Sequence, residues 1–215
     1  MSNSSHHGKR VRFAPLTIGT GVLAAAVLAL TMSGTLAGFT ASINNNTNTA
    51  ASGSLVMQEQ NSGATVTCLS TDLGSVSTNA STCSTINKFG GSTTMVPGQL
   101  VTTTVTIKNV GSAPAGSFTL TPGATCAQTN NGALNGTAID LCAKLNLVIT
   151  NTTTSQVVYT GTLAALAGAA AITITTPPAA GVTNNFSFGL TLAAASGNTY
   201  QGLQASLPLT WAFAS

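Results

Sequence analysis

Between Val101 and Lys108 the chain alternates without a break. Val101, Thr103, Val105 and Ile107 fall on one side of an extended backbone; Thr102, Thr104, Thr106 and Lys108 fall on the other. Successive side chains of a strand point to opposite faces, so a period of two fits a half-buried strand and not a helix. The β-branched residues suit the same pleated surface. The signature recurs in Ser54–Gln60, near Thr65–Leu69, at Phe118 and Leu120, and at Leu145, Leu147 and Ile149. It recurs again in Gln156–Thr160, at Ile172 and Ile174, and at Phe186, Phe188, Leu190 and Leu192. A final strand is expected to carry Leu203, Ala205, Leu207, Leu209, Trp211 and Phe213 on one face, with Pro208 marking an edge or a bulge. Turn signals separate these runs: Pro97-Gly98, Asn109 to Ser112, Pro122-Gly123, Asn151 to Ser155 and Pro177-Pro178. Helical turns are expected only within Ile139–Leu145 and around Leu163 and Leu166. About eight to ten short strands at this spacing predict an all-β fold, a two-sheet β-sandwich of jelly-roll type with short helical insertions.

Charge is scarce. Only 4% of residues are charged, against roughly 25% in ordinary globular chains, while 43% are hydrophobic and can supply a core. Beyond residue 38 the bases are Lys88, Lys108 and Lys144, and the acids are Glu59, Asp72 and Asp140. Three scattered lysines do not make the basic face that phosphate backbones require, so nucleic acid is not an expected partner. The exposed strand positions are Thr, Ser, Asn and Ala where charges usually stand, and an uncharged edge does not repel another strand.

The remaining basic residues, Lys9, Arg10 and Arg12, precede an uncharged run from Leu16 to Leu36 that exits through small residues. This order predicts a secretory signal helix over 1–37, cleaved between Ala37 and Gly38. Its length would also allow an uncleaved membrane-spanning helix. A strand and linker then occupy 38–51, and the sandwich domain 52–215. Cys68, Cys83, Cys126 and Cys142 all lie in the exported part, and an even count there points to two disulfides. Of three possible pairings, Cys68 with Cys83 and Cys126 with Cys142 each close a short polar loop. A zinc site would want CxxC spacing or histidines, and neither is present.

Catalytic residues are hard to find. Both histidines, His6 and His7, precede the apolar run, so the exported chain has no Ser–His–Asp or Cys–His set and no HExxH. Its three carboxylates lie far apart in sequence. No catalytic residue, metal or cofactor is expected. Leu207-Pro208-Leu209-Thr210 is like a sortase signal, but Trp211 follows it and no apolar tail does. Asn45, Asn79, Asn135, Asn151 and Asn185 each begin an Asn-x-Ser/Thr triplet, which matters only in a glycosylating host.

Gly34-Thr35-Leu36-Ala37-Gly38-Phe39, followed by Ala51-Ser52-Gly53-Ser54-Leu55, resembles the start of the TasA/camelysin family. Val96-Pro97-Gly98-Gln99, the strand after it and Asn109-Val110-Gly111-Ser112 resemble that family's next block, and Tyr200-Gln201-Gly202 its last. The resemblance implies processing by a dedicated signal peptidase and a jelly-roll subunit of biofilm-matrix fibres in a Gram-positive bacterium, or of related archaeal filaments. Some relatives are described as metalloproteases; the exported chain departs from them in lacking histidine, and departs further in its four cysteines and few charges.

Cleavage would free Phe39-Thr40-Ala41-Ser42-Ile43 on a polar linker, with Phe39, Ala41 and Ile43 on one face. Such a strand can complete its own sheet, or add to the sheet of a neighbouring copy and build a filament. The expected partners are therefore other copies of the chain, with cell-wall or matrix components besides. The alternative is a monomeric Ig-like surface adhesin.

Overall fold

The computed structural model describes residues 41–45 and 47–215. The chain falls into two units, Met1–Ala50 and Ala51–Ser215. Ala37, Gly38 and Phe39 lie outside the described residues, and no strand or helix is assigned before Met57 among those described, Ala41 and Ile43 included.

The second unit, Ala51–Ser215, is all-β. Its strands are β1 (Met57–Asn61), β2 (Thr67–Leu69), β3 (Leu100–Asn109), β4 (Ser117–Pro122), β5 (Ala127–Asn130), β6 (Leu145–Asn151), β7 (Gln156–Thr162), β8 (Ile172–Thr173), β9 (Thr183–Leu192), β10 (Leu203–Ser206) and β11 (Leu209–Ala214). Single helical turns, α1 (Leu141–Lys144) and α2 (Leu163–Leu166), precede β6 and follow β7. In α2 the Thr162 hydroxyl accepts the Ala165 N–H at 3.1 Å, the N-cap arrangement expected of Thr. Every strand pair is antiparallel: a six-stranded sheet in the order β2-β1-β3-β9-β6-β7, a three-stranded sheet β11-β4-β8, and a ribbon β10-β5.

The sheets meet as two layers. Val105 and Ile107 of β3, Leu147 and Ile149 of β6 and Phe186 and Phe188 of β9 are fully buried, as is the face of β4 that carries Phe118 and Leu120. Aromatic rings join the layers: Phe186 lies 4.6 Å from Trp211 and 5.8 Å edge-on from Phe118, centroid to centroid. Such offset and edge-to-face pairs add about 0.5–1.5 kcal/mol each beyond the area they bury.

The turns follow the chemistry read from the sequence. At Val96-Pro97-Gly98-Gln99 the Gln99 N–H donates to the Val96 carbonyl at 3.0 Å, and Gly98 takes φ +79°, the value the third position of a type II turn requires. At the end of β3, buried Asn109 accepts the Gly111 N–H at 3.0 Å and donates to the Ala113 carbonyl at 2.8 Å. That motif is a hydrogen-bonded corner. Asn151, one of the triplet asparagines named above, is also fully buried and donates to Asn184 Oδ1 at 3.2 Å, so its amide is occupied inside the core.

One reading needs correction, and one strand gives no sign of itself. The last apolar stretch is not one strand: it breaks at Leu207-Pro208 into β10, paired with β5, and β11, paired with β4. Pro208 has no N–H for a ladder and fixes its own φ, so the chain leaves one sheet there and enters another. β5 itself, Ala-Gln-Thr-Asn, has no apolar alternation to announce it; its strand state comes from its pairing with β10.

Candidate functional site

β11 has one neighbour in its sheet, β4, and β10 has one, β5. Among the described residues, the other edge of each strand carries no strand partner. A cavity of about 1100 Å³ lies along these edges, and every residue from Tyr200 to Phe213 contributes to its wall. Both side-chain parities contribute, as happens where strands present an edge and not a face. The opposite wall is the inner surface of the six-stranded sheet at Met57 and Glu59 of β1, Leu190 and Leu192 of β9 and Leu145 of β6. The third wall is the segment between β2 and β3, from Asn79 to Pro97. β11 reads Leu-Thr-Trp-Ala-Phe-Ala and holds no charge.

Two charged groups, Glu59 and Lys88, stand in the cavity walls. Glu59 lies between Met57 and Asn61 on the inward side of β1, directly across from fully buried Ile107 of β3. Its Oε1 takes the Lys88 ammonium at 2.7 Å and accepts the Trp211 indole N–H at 3.4 Å. The Lys88 and Glu59 side chains are only 11% and 10% exposed. Trp211 is packed by Phe118, Phe186 and Phe188, so the indole that reaches Glu59 is fixed from behind by the core. A charge this far from water is tolerated only when it is paired. The sequence holds the signal for this pair: Leu55, Met57 and Glu59 share a parity, so an acid sits where the pattern asks for an apolar residue. Lys88 gives no such sign, because it lies in a loop without periodicity.

The other carboxylates are occupied elsewhere. Asp72 accepts the Leu69 N–H at 2.7 Å and closes the turn after β2. Asp140 accepts the Tyr200 hydroxyl at 2.7 Å and lies 3.7 Å from Lys144. The Tyr200 phenol is held above its ordinary value first by that hydrogen bond, then by burial and by the charge of Asp140. No group of three or more His, Cys, Asp or Glu among the described residues is placed to hold a metal ion.

The four cysteines form two disulfides, Cys68 with Cys83 and Cys126 with Cys142, the pairing favoured from the sequence. They fit an oxidising compartment. No helix among the described residues is long and apolar enough to cross a membrane. The structure brings Cys68 and Cys83 to the cavity wall. The residues behind the family resemblance have local structural roles: Pro97-Gly98 and Asn109 to Ser112 make the corners of β3, and Tyr200-Gln201-Gly202 turns the chain into β10. The chain matches no protein-family model, and no curated protein matches it.

Proposed function

We propose that this protein is a secreted, non-enzymatic structural subunit of extracellular fibres, a jelly roll that assembles by strand addition between copies. The observation that carries this reading is the uncharged edge of β11, which has no strand partner among the described residues, beside a cavity whose walls include Met57, Leu190 and Leu192. A strand laid along that edge gains main-chain hydrogen bonds, and its alternate side chains enter the cavity over Met57, Leu190 and Leu192. Phe39-Thr40-Ala41-Ser42-Ile43 has the required pattern: no charge, with Phe39, Ala41 and Ile43 on one side. Asn44 to Ala51 follows as a polar linker, and eight extended residues reach about 27 Å, enough to pass from one copy to the next. Donor and acceptor are different surfaces, so the contact is head-to-tail and propagates as a filament. Cleavage between Ala37 and Gly38 would free the donor, and the resemblance to the TasA/camelysin family supports both that processing and the fibre.

Electron microscopy of the secreted chain tests the reading. Long filaments are expected, and deletion of 38–51 is expected to abolish them while the circular dichroism of the body stays β. Monodisperse particles from the intact chain would favour the monomeric adhesin, and filaments from the deleted chain would exclude strand donation.

A further inference from the structure

The segment between β2 and β3 is fixed at both ends and held between them by side chains alone. At its start, the Asn79 amide donates to the Leu55 carbonyl at 2.6 Å and Cys83 is bonded to Cys68. At its end, the Gly98 N–H donates to the Leu192 carbonyl at 2.8 Å. From 80 to 97, every backbone hydrogen bond among the described residues is made within 87–99, and none reaches a strand. Side chains hold the middle down: Ile86, 7% exposed against the core, the Lys88–Glu59 ion pair and partly buried Phe89, with partly buried Met95 nearer the end. Between Phe89 and Met95 lie Gly90 and Gly91, at φ +80° and +61°, a conformation that only glycine adopts freely. The segment roofs the cavity without filling it, whereas a settled protein interior leaves few voids larger than a water molecule.

A buried ion pair is a poor choice for stability alone, since the cost of removing two charges from water largely cancels their attraction. It is a good choice for a contact that must open, because each partner regains water when they separate. Resting on the fibre reading above, we propose that Ser84–Val96 is a lid over the strand-acceptor groove, latched by Lys88 on Glu59, and that an incoming donor strand must displace it. The lid protects the uncharged β11 edge while subunits are still separate, the task that edge charges perform in other sheets. Trp211 reads the latch directly, because its indole shares Glu59 Oε1 with Lys88 and it is the only tryptophan in the chain.

The test removes both charges together, Glu59→Gln with Lys88→Met, so that no orphan charge is buried. A second variant, Cys68→Ser with Cys83→Ser, frees the start of the lid. For titration, each is placed in the exported chain with Phe39→Asp and Ile43→Asp, which disables its own donor. The probe is a synthetic peptide of residues 38–51, followed by Trp211 emission; elongation is followed by light scattering with the native donor restored. A closed lid lowers apparent affinity by the fraction of open molecules, so at least a roughly tenfold tighter peptide complex and a similarly faster elongation are expected in either variant. Equal affinity and equal elongation in native and unlatched chains would overturn the lid and leave the fibre reading intact. Filaments without peptide binding would overturn the lid and move assembly to another surface. Neither filaments nor peptide binding in any form would remove the fibre reading and the lid with it.

Discussion

Each disulfide adjoins a long segment, and the two segments, 84–96 and 131–138, are held to the body in different ways. Cys68–Cys83 spans 15 residues and Cys126–Cys142 spans 16. The second segment is sewn to the body by its backbone: Asn131 N–H donates to Gly202, Gly136 N–H to Gln201 and Ala138 N–H to Thr199, all within 2.9 Å. Gln128 fastens it again, donating to the Ala138 carbonyl at 2.6 Å and accepting the Leu141 N–H at 2.7 Å. The stretch beyond the first disulfide has none of this backbone bonding and rests on side chains: Ile86, partly buried Phe89 and Met95, and one ion pair. A disulfide constrains the unfolded chain by an amount that grows only slowly with its loop, and says little about how firmly the neighbouring chain lies in the folded one.

Hydrogen exchange breaks or sharpens that contrast most strongly. Amides opened by local fluctuation exchange far faster than those released only by global unfolding. Backbone amides in 80–86 and 91–93 are expected to exchange on the order of 1000-fold faster than those of Asn131, Gly136 and Ala138. Similar protection in the two segments would show that the lid is as fixed as its counterpart.

Removing the disulfides singly comes next. Both loops are near 15 residues, so each loss is expected to cost about 3 kcal/mol through the unfolded state, read as matching shifts in the urea midpoint. The accompanying change should differ. Cys126→Ser with Cys142→Ser should leave exchange at Asn131, Gly136 and Ala138 slow, because their backbone bonds remain. Cys68→Ser with Cys83→Ser should raise exchange from Ser84 to Val96 further and alter Trp211 emission. Matching local changes would mean that covalent closure, and not the backbone bonding, decides mobility.

Single-residue changes should divide the same way. A Cβ at Gly136 would run into the backbone of Thr199, which has no room to yield. Gly136→Ala is expected to cost about 2–3 kcal/mol, as overpacking against fixed atoms does. At Gly90 the added Cβ would meet Thr103 Oγ1 at 2.9 Å and Val101 Cγ1 at 3.0 Å. Those are side chains, and the loop can lift away from them. Gly90→Ala should therefore cost only about 1 kcal/mol, mostly from its left-handed φ, and should loosen the lid by the exchange measurement above. A larger loss for Gly90→Ala than for Gly136→Ala would reverse the comparison.

How far these features can be read from the sequence depends on which force makes them. Strands with one buried face announce themselves, and β3, β6 and β9 lie where Val101–Ile107, Leu145–Ile149 and Phe186–Leu192 alternate. β5 is illegible because three of its four side chains are polar and most are exposed; only pairing with β10 makes it a strand. The break at Pro208 is half legible: the proline forbids an uninterrupted central strand, but that the chain changes sheets there depends on where β4 and β5 lie. The groove is illegible altogether. It exists because β11 is last in its sheet and β1 second in the other, an ordering made by long-range pairing. Glu59 is the one site residue whose parity gives it away.

The smallest expected effect lies on the sewn side, at Tyr200 and Asp140. Tyr200 is one of two tyrosines; the other, Tyr159, donates to the Thr162 carbonyl at 2.7 Å and is raised by burial alone. A phenol whose folded pKa is raised favours its protonated form in the fold. Its contribution is therefore complete below the unfolded value near 10 and is lost as pH climbs through the higher folded value. Asp140→Ala removes the hydrogen-bond acceptor that is the largest cause of the Tyr200 shift, and the nearby charge with it. Phenolate absorbance should then show one tyrosine ionising earlier, toward its ordinary range, while Tyr159 is unchanged. Two unaltered titrations would mean that the hydroxyl spends its time in water, and that the loop before α1 is held by its backbone bonds to 199–202 without help from this side chain.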